Sequence, residues 1–246
     1  MRRPLALLLG LLGASPQEAA PIRVLVVTGH DYAHDWKKTT PALREVLEAD
    51  RRIKVDVLEG PDKLESADLK PYQVVLLHFS SGPLNQKDFK DPGEKARENL
   101  QGHVRGGGGL FVLHFACFAF RDWPEFRNLA GRVWDRVRGH DPRGPFEVRL
   151  VKPDHPICRG MDATFQADDE LYTCLEGERE IEVLTVARSK VTKQEHPMAF
   201  VFRYGEGRVF HTPLGHDARA IRMPGVAELF RRGCAWAAGR DPVPGP

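Results

Sequence analysis

The chain has 246 residues, 41% of them hydrophobic, with 36 lysines and arginines against 34 aspartates and glutamates and a formal net charge of +2. That composition supplies a packed interior and excludes global disorder. The two charge signs are interleaved along the whole chain, which leaves no basic face and excludes nucleic acid as an expected partner.

The N-terminus opens with the positive stretch Met1-Arg2-Arg3, then the apolar run LALLLGLL at 5–12, then the small residues Gly13, Ala14 and Ser15. This is the pattern of a secretory signal peptide, and the run is too short to form a stable membrane span. The interruption PQEAAP at 16–21 argues against a packed N-terminal helix. The reading is therefore residues 1–20 as a signal peptide and residues 21–240 as one domain, exported to the periplasm or the extracellular space. Pro16 and Pro21 leave the cleavage position open, and no cysteine follows the apolar run to suggest a lipid anchor. Roughly 225 residues remain, a length that one α/β core can use.

Residues 22–28 (IRVLVVT), ended by Gly29, read as a strand buried on both faces. Thr39 or Thr40 then caps a helix with Pro41 at its first position, running through Leu43, Val46 and Leu47. Residues 53–58 (IKVDVL) and 72–79 (YQVVLLHF) are further strands, Asp91-Pro92 opens a polar helix to about residue 104, and 110–114 (LFVLH) is a fourth strand. This alternation predicts an α/β three-layer sandwich with a mostly parallel sheet. In the second half, 146–151 and 181–187 read as strands. Residues 198–204 and 208–212 form a hairpin turning at 205–207, and 226–238 form a closing helix ended by Gly239. Gly106 to Gly109 follow a helix and precede a strand, so they serve a helix cap and a tight turn, not a phosphate cradle. Cys117, Cys158, Cys174 and Cys234 match no zinc-binding spacing, and both disulfides and free buried thiols fit them.

Ligands of a parallel sheet gather beyond the carboxyl ends of its strands. There the chain places Gly29-His30-Asp31 with His34, then Ser80-Ser81-Gly82, then His114, then Leu214-Gly215-His216-Asp217. Any single histidine is most simply a hydrogen-bonded core or surface residue, but three at equivalent positions point to a site. Asp168-Asp169-Glu170 and Glu195 read as loop carboxylates that either orient a histidine, bind sugar hydroxyls or are merely solvated. Trp36, Trp123 and Trp134 offer flat faces for a sugar ring, or are core. Zinc among three histidines is chemically sensible, but their non-local spacing does not itself indicate a metal.

Residues 112–116 (VLHFA) look like the G-x-C-x-G turn that presents the nucleophilic cysteine of class I glutamine amidotransferases, with His114 in the cysteine's place. The run G-G-G-L-x-x-x-H ending at His114 resembles ThuA-like (trehalose utilisation) proteins. So do Thr28-Gly29-His30, WPEF at 123–126, Trp134 with Gly139-His140, DHPI at 154–157, DELY at 169–172, RYGEGRVF at 203–210 and LGHD at 214–217. Together they cover roughly residues 22–240. The resemblance implies a class I glutamine amidotransferase-like fold with a flavodoxin-like core. It also implies, through an association with disaccharide catabolism, a small-molecule carbohydrate partner. The expected function is an isomerase, lyase or hydrolase acting on a sugar or oxidised sugar derivative. His30, His114, Glu170 and His216 are its acid–base residues, and Asp31, Trp123, Asp169, Glu195 and Asp217 bind substrate. Glutaminase chemistry needs a thiolate, and Cys117 lies past the turn where packing explains it. The alternative is a non-catalytic carbohydrate-binding or accessory protein that keeps the fold.

Overall fold

The apolar runs become strands and the amphipathic segments cover them. A computed structural model describes residues 20–31, 33–81, 90, 92–134 and 139–243; the assigned leader apart from Ala20 lies outside these, as do Gly82 and Asp91. In chain order the elements are β1 (Ile22–Thr28), α1 (Trp36–Glu48), β2 (Ile53–Glu59), β3 (Val74–His78), α2 (Glu94–Arg105), β4 (Gly109–Leu113), α3 (Glu125–Ala130) and β5 (Val133–Trp134). There follow β6 (Gly144–Leu150), β7 (Thr164–Asp169), β8 (Leu175–Glu176), β9 (Glu182–Arg188), β10 (Glu195–Tyr204), β11 (Gly207–Thr212), α4 (Ala218–Arg222) and α5 (Pro224–Ala237). Single 3-10 turns occupy Pro61–Glu65 and His114–Phe118.

One nine-stranded sheet runs β2-β1-β3-β4-β11-β10-β9-β6-β7. From β2 to β11 every pairing is parallel, and from β11 outward every pairing is antiparallel. The parallel part thus has the 2-1-3-4-5 order of a flavodoxin-like core, with β11 as its fifth strand. Successive residues of a strand face opposite layers. Val24 and Val26 pack with Leu43 and Leu47 of α1, Ile221 of α4 and Phe230 of α5. Leu25 and Val27 pack with Leu100 of α2 and Phe126 of α3. Burial on both faces is why the central strands read as unbroken apolar runs. Phe111, Phe210 and Phe230 meet edge to face at 4.8 and 5.7 Å and anchor the first layer; truncating a buried phenylalanine to alanine costs about 3–5 kcal/mol.

Three local expectations are corrected. Helix α1 starts at Trp36, capped by Asp35 on the Lys38 amide, and Pro41 sits inside it. Thr40 is no cap because its hydroxyl is drawn into the core, 3.1 Å from Thr28 Oγ1 and 3.2 Å from His78 Nδ1. Asp168 and Asp169 close β7 instead of lying in a loop, and Glu195 opens β10. Strand β7 is an edge whose alternate residues face solvent, so its sequence carries no apolar run. Gly106 caps α2 and Gly107 takes φ 109, as the turn reading requires. The four cysteines are buried thiols, not disulfides. No helix among the described residues is long and apolar enough to cross a membrane.

Candidate functional site

β4 ends at Leu113 in extended conformation, and His114 then takes φ 48, a left-handed backbone that non-glycine residues adopt at a cost of about 1–3 kcal/mol. This elbow turns the wholly buried imidazole into the crevice beyond the parallel strands. Its Nδ1 lies 2.6 Å from the Pro213 carbonyl, which can only accept, so Nδ1 carries the proton and Nε2 the lone pair. The Tyr172 hydroxyl donates to that Nε2 at 2.9 Å.

His34 reaches the same point from the loop after β1. Asp31 Oδ1 accepts from the Ala33 and His34 amides at 2.8 and 2.7 Å and from His34 Nδ1 at 2.6 Å. Ser80 Oγ donates to Asp31 Oδ2. Burial opposes the charge on Asp31, but His34 and Ser80 outweigh it and hold its carboxyl below the usual range. Burial, reinforced by His114 and His216, lowers the pKa of His34 despite Asp31. With both Nδ1 atoms donating outward, the Nε2 atoms of His34 and His114 stand 3.2 Å apart with lone pairs directed at a common space.

Glu170 and His216 complete the group. Buried Asp169, at the end of β7, accepts the amides of Glu170, Gly215 and His216 at 2.8, 2.6 and 3.2 Å and so ties the two loops together. Gly215, at φ 114, permits the turn that presents His216. Glu170 Oε2 lies 3.2 Å from His216 Nδ1 and 3.7 Å from His114 Nε2. Burial works against the Glu170 charge, yet these two imidazoles hold its carboxyl well below the usual range, and Glu170 in turn raises the pKa of His216. The 3.2 Å approach lacks hydrogen-bond alignment, leaving His216 Nδ1 a buried atom with no hydrogen-bonding partner among the described residues.

One ligand atom from each of His34, His114, Glu170 and His216 lies within 4.8 Å of the others. Zinc bonds of about 2.0–2.1 Å in tetrahedral geometry put ligand atoms about 3.3 Å apart, which the two 3.2 Å separations approach. Imidazoles with one carboxylate favour zinc or another late first-row ion over magnesium or calcium. Asp31 and the Pro213 carbonyl hold the far nitrogens of two imidazoles, as partners of metal-bound histidines do.

The cluster opens into a cavity of about 500 Å³ whose walls include Phe115, Trp134, His140 and Tyr172. Phe115 stacks on His34 at 4.4 Å. His140 donates from Nδ1 to the Asp141 carbonyl at 2.7 Å, so its Nε2 carries the lone pair, 3.7 Å from Glu170 Oε1.

Of the residues expected at the site, His114, Glu170 and His216 converge, and Asp31 supports them. His30 does not join: its Nδ1 donates to the Ser80 carbonyl at 2.8 Å and it lines a separate hollow with Gly60 and Lys63. His34 takes its place because the turn built on Asp31 swings the chain back toward the crevice. Asp169 holds backbone, Asp217 caps α4 and pairs with Arg143 at 2.5 Å, and Asp168 pairs with Arg219 at 2.9 Å. Glu195 is half exposed against Arg149 at 2.8 Å and does not line the cavity. Trp123 lines a neighbouring cavity and Trp134 lines both. Sequence reasoning did not select His34, Tyr172 or His140; the Asp31-x-x-His34 spacing was the available signal for the first.

A family profile described as ThuA, trehalose utilisation, matches residues 23–237. The structure of a ThuA-like protein from Parabacteroides merdae superposes with a TM-score of 0.81 at 26% identity, covering 92% of this chain and 93% of that one. A glutamine amidotransferase from Thermotoga maritima superposes with a TM-score of 0.52 at 16% identity over 79% of this chain and 76% of that one, a likeness of fold alone. Among curated proteins, the epididymal secretory glutathione peroxidase of Sus scrofa is 34% identical over 120 residues, 39% of this chain and 52% of that one. The chain spans about half the length of the curated relatives it matches.

Proposed function

The chain belongs to the ThuA (trehalose utilisation) family, and on that premise we propose that it is a divalent-metal-dependent enzyme acting on a sugar or oxidised sugar derivative. The observation that carries this reading is the convergence of His34, His114, Glu170 and His216 on one point at the wall of a cavity. A divalent ion held by His34, His114, Glu170 and His216 would supply a Lewis acid for a substrate carbonyl or hydroxyl oxygen. His140, its lone pair fixed on Nε2 by the Asp141 carbonyl, takes the proton from the neighbouring carbon and returns it at the end of the step. The Pro213 carbonyl and Asp31 hold His114 and His34 in orientation through their Nδ1 atoms, and Trp134 and Phe115 supply flat walls. Enolisation or isomerisation beside a carbonyl is the reaction this arrangement suits best.

Two other chemistries fit poorly. An amidotransferase needs its thiolate at the elbow, and the elbow bears His114. Peroxidase chemistry on a cysteine, one reading of the curated relatives' name of glutathione peroxidase, needs an accessible low-pKa thiol. All four cysteines here are buried, and burial raises the thiols of Cys117, Cys158 and Cys234. Residues 1–20 direct export in this reading, which the mass of the mature protein in a periplasmic or culture fraction tests.

The protein purified without chelator is expected to carry about one zinc per chain by plasma mass spectrometry. In D2O, proton NMR should show zinc-dependent exchange of a C–H proton on at least one sugar of an oxidised-sugar panel, absent in His114→Ala. A chain that neither retains nor takes up a divalent ion ends the proposal. Sugar binding without turnover across native and oxidised sugars favours the accessory role.

A further inference from the structure

We infer that Tyr172 is a further catalytic residue: its hydroxyl holds the His114 lone pair in the metal-free chain and, once released, donates to the substrate oxygen. The inference rests on the function proposed above. The Pro213 carbonyl keeps the proton of His114 on Nδ1, so Nε2 is the atom through which this imidazole accepts a hydrogen bond or ligates. The Tyr172 hydroxyl donates to that same Nε2 at 2.9 Å. One lone pair cannot take a hydroxyl proton and bind a cation together. Tyr172 therefore competes with the ion for His114 and does not support it as a ligand.

The displaced hydroxyl stays at the cavity because its ring is fixed. Tyr172 is buried, 4.5 Å from the His114 ring, edge-on to Trp134 at 4.7 Å and 6.0 Å from the His140 ring. Its backbone pairs with that of His140 in an antiparallel bridge. What is free to move is the hydroxyl hydrogen, which turns about the C–O bond without shifting a heavy atom. A buried donor that loses its acceptor is costly until another arrives, and a substrate oxygen in the cavity supplies one. Ser80, the other hydroxyl lining the cavity among the described residues, is committed to Asp31. Bridge partners project to the same side, so Tyr172 and His140 share one wall of the cavity. As His140 takes the C–H proton, that bond's electron pair moves between the two carbons and the carbonyl π pair moves onto oxygen. The Tyr172 hydroxyl donates to that oxygen and keeps its own proton, and return of the proton from His140 to carbon reverses the shift.

Zinc competition with a chromophoric chelator and C–H exchange in D2O, both on the full chain, test this together. Tyr172→Phe should bind zinc about two- to tenfold tighter than wild type, because no hydrogen bond is given up. The zinc-loaded variant should lose C–H exchange about 100-fold, as when one donor to a developing oxyanion is removed. Tyr204→Phe removes a hydroxyl that donates to Glu125 at 2.5 Å, outside the cavity, and should change neither. Weaker zinc binding by Tyr172→Phe would make the phenol oxygen a ligand and overturn the inference. Zinc affinity unchanged within about twofold, or exchange left intact, overturns it as well. Each of these outcomes leaves the metal-dependent function standing. A wild-type chain that takes up no divalent ion, or exchanges no C–H proton, ends that function and the inference with it.

Discussion

The interior of the sheet and its carboxyl rim both hold wholly buried histidines, and they behave differently. His78, at the end of β3, shares its Nδ1 between Thr28 and Thr40 at 3.2 Å each, and its Nε2 has no partner among the described residues. His211, in β11, donates from Nδ1 to the Ala130 carbonyl at 2.8 Å and likewise leaves Nε2 unpartnered. Burial pushes them down to about 3 and about 4 respectively, so both stay neutral. His114 is equally buried, but its Nε2, to which Tyr172 donates, also faces two more imidazoles and a carboxylate. Burial is thus common to both regions. Convergence of donors on one point is what separates a candidate site from a core histidine.

The largest test of that contrast is substitution of His114. His114→Ala should lower zinc affinity at least about 10³-fold, about 4 kcal/mol, while His211→Gln leaves it within about twofold. Competition with a chromophoric chelator reads both, and equal losses would erase the distinction between rim and interior. Next comes removal of the ion. Zinc at about 100 times its Kd stabilises a one-site protein by about 2.7 kcal/mol. Chelation should therefore lower the Tm of the wild-type chain and of His211→Gln, but not that of His114→Ala, in differential scanning calorimetry. A smaller effect is expected one bond further out. Asp31→Asn keeps the turn acceptor at Oδ1 but loses the charge that orients His34, and should weaken zinc about 10- to 100-fold. An unchanged affinity would show that Asp31 serves only the loop.

The legible part of this protein is the part built from buried parallel strands. The runs at 22–28, 72–79 and 110–114 are apolar because both faces are covered; the ends of 22–28, 110–114 and 208–212 pointed to His30, His114 and His216, of which the last two reach the site. Strand β7 was invisible because an edge strand with solvent on alternate residues carries no such run. That hid the fact that Glu170 is delivered by a strand end, like the histidines. The choice between His30 and His34 had one local signal, the Asp31-x-x-His34 spacing. Both follow β1, and which one faces the crevice depends on the turn that Asp31 builds with three hydrogen bonds. Tyr172 and His140 come from the second half of the chain and meet His114 and Glu170 only through tertiary packing. No local spacing encodes that meeting.

The smallest expected effect concerns the interior histidines themselves. In the unfolded chain an imidazole takes up a proton near pH 6.5, whereas buried His211 does so only at about 4. Between those values the unfolded state binds more protons than the folded state, so stability rises with pH across this window. The contribution is complete above about pH 6.5 and is lost progressively as the pH falls toward 4, with a limiting slope of about 1.4 kcal/mol per pH unit. His211→Gln keeps a donor for the Ala130 carbonyl but has no titrating group, so urea unfolding from pH 7 to pH 4.5 should show a shallower decline, by about 1 kcal/mol per pH unit. Wild type and variant declining in parallel would mean that His211 is protonated in the folded chain, and the interior would then hold the charge assigned here to the rim.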